Sequence, residues 1–99
     1  MNITKIRVVL SSALFWQDGY DSQDCRDDAK RASDELEERL MDKYPDAHVD
    51  VDWTTTSMPT HRIEVQVDGE PCGQGDRAFT DVRDIVLEVH EEVSNGTTA

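Results

Sequence analysis

The sequence predicts a two-layer α/β fold of the order β-α-β-β-(β)-α, in which two helices cover one face of a small mixed β-sheet. Three patterns predict it: segments that alternate apolar and polar residues, longer segments with apolar residues every three or four positions, and proline or glycine where these segments end. Each alternating strand would bury only one face. We therefore expect both helices on one side of the sheet and water on the other.

The first predicted strand spans residues 6–10, where the run IRVVL is apolar and rich in β-branched side chains. Residues 11–20, SSALFWQDGY, follow as a loop that carries a glycine and an aromatic pair expected at the surface. Asp21 or Ser22 is then placed to cap a helix.

The first predicted helix runs from about Ser22 to Lys43. Its apolar residues recur at steps of four, three, four and four, which places them on one helical face, while charged residues fill the rest. Pro45 ends the helix, because the residue before a proline is pushed out of the helical conformation. The apolar face consists of Cys25, Ala29, Ala32, Leu36 and Leu40.

Two strands and a short third follow this helix. Residues 48–53 (HVDVDW) and 61–67 (HRIEVQV) alternate strictly, Asp68-Gly69 is a hairpin turn signal, and residues 70–73 form a short fourth strand. A right-handed β-α-β crossover would make the first two strands parallel. The hairpin would make the third and fourth strands antiparallel.

A last helix is predicted after a cap at Asp76 or Thr80, and Asn95-Gly96 ends it. The chain is then one α/β domain over residues 1–96, followed by a frayed tail at residues 97–99. The apolar face of this helix consists of Phe79, Val82, Val86, Val89 and Val93.

Four stretches of the chain carry a resemblance to a known family. They are RVVL at residues 7–10, LEERLMDKYPDAHVDV at 36–51, HRIEVQVDGE at 61–70 and MPT at 58–60. With them the chain resembles a minimal thioredoxin-like fold, and most of all the selenoprotein W-like (Rdx) redox proteins. The last helix falls where that family has one, and the proline of MPT is similar to the one that thioredoxins place near their active site.

The motif that performs the chemistry of that family is missing from this chain. The family has a CxxC directly after its first strand, where residues 11–14 read SSAL. Thiol–disulfide exchange needs a thiolate nucleophile and a resolving thiol, and neither serine nor leucine supplies one. The resemblance therefore implies a redox-dead relative without a cofactor. Cys25 and Cys72 leave open a residual thiol-redox protein.

Negative charge is the strongest compositional feature. Twenty-two acidic residues face ten basic ones, for a net charge of −12. Residues 18–46, 47–75 and 76–99 carry −6, −4 and −4, so the charge is spread beyond the first strand. Such a chain should repel nucleic acids and anionic lipid. Two interpretations stay open. One is a salt-adapted or merely very soluble surface, and the preference for Asp over Glu and for Arg over Lys, which fits a halophilic or GC-rich source, favours it. The other is an acidic surface that occupies a basic, nucleic-acid-binding groove on another protein.

The expected location is the cytoplasm. The sequence holds no apolar run long enough to cross a membrane, and its first residues lack the pattern of a signal peptide. Two cysteines are too few for a disulfide framework.

The leading functional hypothesis is a non-enzymatic acidic module that binds another protein. Phe15, Trp16 and Tyr20 would serve as anchors, and the acidic rim of the first helix would steer the partner. These aromatic side chains could equally fold back and cap the small core. The alternative is a virus-type acidic inhibitor that mimics nucleic acid against a host defence nuclease, in the manner of anti-CRISPR proteins. A homodimer is also left open. The helix residues that would imitate phosphates are Asp24, Asp27, Asp28, Asp34, Glu35, Glu38 and Asp42.

Metal binding is a weaker alternative, and no resident metal is expected. Four side chains share the predicted open face of the sheet, where ligands on neighbouring strands could hold a divalent cation. An ordinary polar face beside Arg62 explains them equally. His61 and His90 show no partner pattern. The four candidates are His48, Asp50, Asp52 and Glu64.

Overall fold

In the computed structural model, which describes residues 2–56 and 58–95, the first strand lies inside a four-stranded sheet and both helices pack against one face of that sheet. The elements are β1 (Ile3–Ser11), a 3₁₀ helix (Ser12–Phe15), α1 (Ser22–Lys43), β2 (His48–Thr54), β3 (Arg62–Val67), β4 (Glu70–Pro71) and α2 (Arg77–Ser94).

The strand order is β2-β1-β3-β4. β1 runs parallel to β2 and antiparallel to β3, and β3 runs antiparallel to β4. The predicted two-layer α/β architecture is therefore confirmed, including the parallel β-α-β unit and the antiparallel hairpin. This mixed sheet with two helices on one side is consistent with a thioredoxin-like layout.

The bounds of α1 match the prediction at both ends, because local chemistry sets them. The Asp21 carboxylate accepts the backbone N–H of Asp24 at 2.9 Å, and the Asp24 carboxylate accepts the backbone N–H of Asp21 at 3.1 Å. This reciprocal capping box satisfies two N–H groups that the first helical turn leaves free. At the other end Tyr44, which precedes Pro45, leaves the helical conformation.

The core lies between the sheet and the two helices. Ile6 and Val8 of β1 are fully buried and stand in register with Val49 and Val51 of β2, so their side chains share one face of the sheet. Both predicted helical stripes supply the other layer. The buried core residues are Ile6, Val8, Leu10, Phe15, Ala29, Ala32, Leu36, Leu40, Val51, Val65, Phe79, Val82, Val86, Val89 and Val93.

The opposite face of the sheet carries charge. Arg7 at the centre stands in register with Asp50 of β2 on one side and Glu64 of β3 on the other. No helix covers this face in the described part of the chain, as the alternating pattern predicts.

The loop between β1 and α1 differs from its prediction. Residues 12–15 form a 3₁₀ helix that turns Phe15 into the core, where its exposed fraction is 0%. The side-chain amide of Gln17 donates a hydrogen bond to the carbonyl of Ser94, which fixes this segment to the end of α2. Phe15 is therefore part of the core.

In the second half of the chain, the fourth strand is shorter than the predicted strand over residues 70–73. β4 is only two residues long, and after it the backbone N–H of Cys72 still donates to the Val65 carbonyl at 2.8 Å. Asp76, not Thr80, is the N-cap of α2, and its carboxylate accepts the N–H of Gly73 at 2.9 Å. Residues 96–99, with the predicted frayed tail, lie outside the described residues.

An ion-pair network joins the two helices. Arg39 of α1 contacts Glu35 on its own helix at 3.0 Å and both Glu88 and Glu92 on α2. The hydrogen bond to Glu92 is the largest cause of a raised pKa for the Arg39 guanidinium. Neither helix of the described chain is long and apolar enough to cross a membrane.

Candidate functional site

The end of β1 and the start of α1 form the region where the resembled family places its redox motif. Both β1 and β2 end here, because they are parallel, and the 3₁₀ helix leads from β1 towards α1. In open parallel sheets, the carboxyl ends of strands are the usual place for a binding site. The groove at this end is lined by Ser12, Ala13, Trp16, Tyr20, Arg26 and Thr55, among others.

The two serines at the position of the missing motif are buried. Ser11 has an exposed fraction of 0% and Ser12 one of 6%. The Ser11 hydroxyl donates to the carbonyl of Thr56 at 3.2 Å, and its backbone N–H donates to Nδ1 of His61 at 3.1 Å. The hydroxyl proton of Ser11 therefore points at a main-chain carbonyl and not at a base, so this serine is not arranged as a nucleophile.

Two histidines for which the sequence shows no partner pattern form a pair beneath this end of the sheet. Nε2 of His61 lies 2.8 Å from Nδ1 of His90. Because Nδ1 of His61 accepts the Ser11 N–H, the proton of a neutral His61 is on Nε2, from which it donates to His90. His90 then carries its own proton on Nε2.

Burial holds both imidazoles in the neutral form. It lowers the pKa of His61 to about 4, with a smaller contribution from the neighbouring His90, and it also lowers the pKa of His90. Phe15 closes the cluster, stacked on His90 with ring centroids 4.3 Å apart and tilted against His61 at 5.6 Å. The cluster is therefore a packed structural element.

The sequence indicates the position of each histidine relative to the core, but not that the two meet. His90 lies four residues after Val86 and one after Val89, which places it beside the apolar stripe of α2. His61 immediately precedes β3, the strand that α2 covers. Their meeting depends on how α2 sits along β3, which no local pattern specifies.

The three predicted aromatic anchors differ in how much of each side chain is exposed in the structure. Phe15 is in the core and offers no surface to a partner. The Tyr20 hydroxyl donates to the Asp28 carboxylate at 2.9 Å, a bond that raises the pKa of Tyr20. Trp16 alone of the three is largely exposed, at 60%. The available anchor surface is therefore Trp16 with the edge of Tyr20.

The predicted acidic residues of α1 likewise differ in their exposure to solvent. Asp28 is 3% exposed and is bonded to Tyr20 and Arg31, so it faces inwards and not towards a partner. Glu35 is half-buried and paired with Arg39. The remaining predicted acids of this helix are exposed: Asp24, Asp27, Asp34, Glu38 and Asp42.

Both cysteines are free thiols, and their surroundings disfavour the thiolate. Burial raises the pKa of Cys25, and the carboxylates of Asp24 and Asp28 raise it further. Burial, followed by Asp76, raises the pKa of Cys72. A thiol that attacks a disulfide needs thiolate character, so this arrangement counts against the redox alternative.

The metal hypothesis assumed ligands on neighbouring strands, and the topology contradicts that assumption. β1 lies between β2, which carries His48, Asp50 and Asp52, and β3, which carries Glu64. Glu64 is thus two strand spacings away, about 10 Å, which is too far for a shared ion. The described residues contain no group of three or more His, Cys, Asp or Glu side chains that could hold a metal ion.

Comparisons with known proteins return no relative for this chain. No family model matches it, and neither a curated protein nor a solved structure does. The likeness to the selenoprotein W-like proteins thus rests on the sequence stretches given above and on the order of helices and strands.

Proposed function

We propose that the protein is a non-enzymatic, cytoplasmic protein-binding module that contacts its partner at the groove around Trp16. The observation that carries this proposal is the 60% exposure of an indole ring at the end of the sheet, beside a groove. Tryptophan is a frequent anchor of protein interfaces because it buries a large area and offers an N–H donor.

The chemistry around the groove supports binding over catalysis. Ser11 is buried with its hydroxyl bonded to a main-chain carbonyl, and Cys25 is buried among carboxylates. None of the serine, threonine or cysteine side chains that line the described groove has a base at hydrogen-bond distance. Acidic and aromatic side chains at its rim favour a partner with a basic surface and a pocket for an aromatic ring.

Replacing Trp16 with alanine is expected to abolish capture of the partner while changing the free energy of unfolding by less than about 0.5 kcal/mol, because the ring is mostly in water. The tagged wild-type protein and the tagged variant would be used to capture partners from a cell lysate, and quantitative mass spectrometry would measure what each one retains. Met41→Ala is the matched control, since Met41 is an exposed apolar side chain, at 53%, on α1. Equal capture by wild type and the Trp16 variant would contradict the proposal.

A second candidate function is an acidic decoy that occupies a basic, nucleic-acid-binding groove, in the manner of an anti-CRISPR inhibitor. One observation favours it: the last turns of α1 expose a cluster of carboxylates around the exposed Met41. The cluster consists of Asp34, Glu37, Glu38 and Asp42.

For the decoy, Asp34→Asn/Glu38→Gln/Asp42→Asn should weaken capture of a basic partner about tenfold or more at about 0.1 M salt, where exposed charges still interact. The control removes three exposed charges elsewhere, with Asp52→Asn/Glu64→Gln/Glu70→Gln. If both triple variants bind like the wild type, the decoy hypothesis fails and the charge serves solubility or salt adaptation.

A further inference from the structure

The outer edge of β3 is only partly covered. β4 pairs with Gln66 and Val67 and then ends. Among the described residues, the last backbone hydrogen bond on this edge runs from the Cys72 N–H to the Val65 carbonyl. Along a strand, every second residue directs its N–H and C=O to the same edge. The N–H and C=O of Ile63 therefore point the same way as those of Val65, where the described chain provides no further strand.

A groove with an apolar floor runs beside this free edge, between β3 and α2. Its volume is about 590 Å³. Phe79 and Val86 are buried in its floor, and Leu87 at its rim is 53% exposed, one of the few large apolar side chains of the described chain in contact with water. An extended peptide that adds to a sheet uses the unpaired N–H and C=O groups of an edge strand and pockets beside it for alternate side chains.

The charge of this groove is opposite to that of the protein. Its charged lining residues are Arg62 and Arg83, and no carboxylate lines it among the described residues. Both arginines are exposed, and neither forms an ion pair within residues 2–56 and 58–95. In a chain with 22 acids and ten bases, two unpaired arginines at one apolar groove form a local basic site.

We propose that this groove binds an extended peptide segment that alternates apolar and acidic side chains and adds to the free edge of β3 as a strand. Its main chain would bond to the N–H and C=O of Ile63. Its apolar side chains would point to the helix side, over Phe79 and Leu87. Its acidic side chains would point to the other face, where one would lie opposite Arg62 and the next opposite Glu64. Arg83 at the rim would attract a further carboxylate.

This site goes beyond the proposed function because none of its residues lines the groove around Trp16. The two proposals can therefore fail separately. A Trp16 variant should bind the peptide as well as the wild type does.

The probe is a fluorescein-labelled heptapeptide with uncharged, blocked termini, in which four valines alternate with three glutamates. Anisotropy would be measured at about 0.15 M salt, where the general repulsion by the net charge is screened beyond about 8 Å. We expect saturable binding below about 1 mM, and at least about tenfold weaker binding when lysines replace the glutamates. Absence of binding, or equal binding of the lysine peptide, would overturn the proposal.

N-methylation of the peptide tests strand pairing without altering the protein. Methyl groups on the valine nitrogens remove the N–H groups that an antiparallel strand offers to Ile63, whereas methyl groups on the glutamate nitrogens remove those that a parallel strand would use. One of the two modified peptides should lose binding and the other should keep it. If both bind like the parent peptide, no strand is added and the proposal is wrong.

Protein variants locate the site. Arg62→Gln/Arg83→Gln should weaken binding about tenfold, while Lys30→Gln, which removes an exposed cation from α1, should leave it within about twofold. Leu87→Ser should weaken binding by loss of apolar contact. Unchanged affinity in the double arginine variant would place the peptide elsewhere and refute the site.

Discussion

Replacing Phe15 with alanine is expected to lower the free energy of unfolding by about 3–5 kcal/mol. The ring has an exposed fraction of 0% and is stacked on His90 with ring centroids 4.3 Å apart. Its removal leaves a cavity beneath the 3₁₀ helix and takes the aromatic contact from both histidines. Since a domain of this size is stable by only about 5–15 kcal/mol, the variant should be near the limit of folding.

Denaturation in urea, followed by circular dichroism, would measure this loss. Phe15→Leu is the conservative control and should cost about 1 kcal/mol, since it keeps most of the buried volume. The neighbouring Trp16→Ala should stay close to the wild type, because its ring is 60% exposed. If Phe15→Ala unfolds at the wild-type urea midpoint, the ring is not a core element, and the sequence-based hypothesis of a surface anchor at Phe15 would regain support.

The difference between Phe15 and Trp16 shows what the sequence cannot resolve. Both are aromatic residues in a loop with a glycine, and no periodicity separates them. Only the 3₁₀ helix, which turns one ring inwards and leaves the other at the rim, decides between them. By contrast, both ends of α1 could be predicted because Asp21 and Pro45 act within a few residues of themselves.

Strand order marks a second limit. The β-α-β crossover predicts that β1 and β2 are parallel, and the hairpin predicts that β3 and β4 are antiparallel. Neither rule says which edge of the first pair receives β3. The structure places β3 on the far side of β1 from β2, which separates Glu64 from Asp50 and removes the metal site. The same arrangement leaves the edge of β3 at Ile63 open.

Acidification is expected to destabilise the protein through His61 by at most about 3 kcal/mol between pH 7 and pH 4, because burial lowers the pKa of this imidazole from 6.5 to about 4. Above pH 7 the ring is neutral in both folded and unfolded chains and contributes nothing. As the pH falls through 6.5 the unfolded chain binds a proton that the folded chain does not. Stability therefore decreases until the folded form is protonated as well, near pH 4.

The hydrogen bonds of the two histidines also indicate that protonation destabilises the folded protein. In the neutral ring, Nδ1 of His61 accepts a hydrogen bond from the Ser11 N–H at 3.1 Å. A protonated His61 carries a hydrogen on both ring nitrogens, so two donors, the Nδ1–H and the Ser11 N–H, would then face each other. His90 adds a contribution in the same direction, because its pKa is also lowered by burial. The protonated pair would further place two like charges on rings whose facing nitrogens are 2.8 Å apart.

Unfolding free energies would be measured at intervals from pH 7.5 to 4 for the wild type and for His61→Asn/His90→Asn. Asparagine at position 61 keeps an acceptor for the Ser11 N–H but does not titrate. The carboxylates titrate in both proteins, so the difference between the two curves isolates the histidine pair. It should decrease by about 3 kcal/mol through His61, and further through His90, across this range. Nuclear magnetic resonance titration of the imidazole nitrogens reads the same event directly: a pKa near 6.5 for His61, with parallel stability curves, would show that the pair is not held neutral by burial.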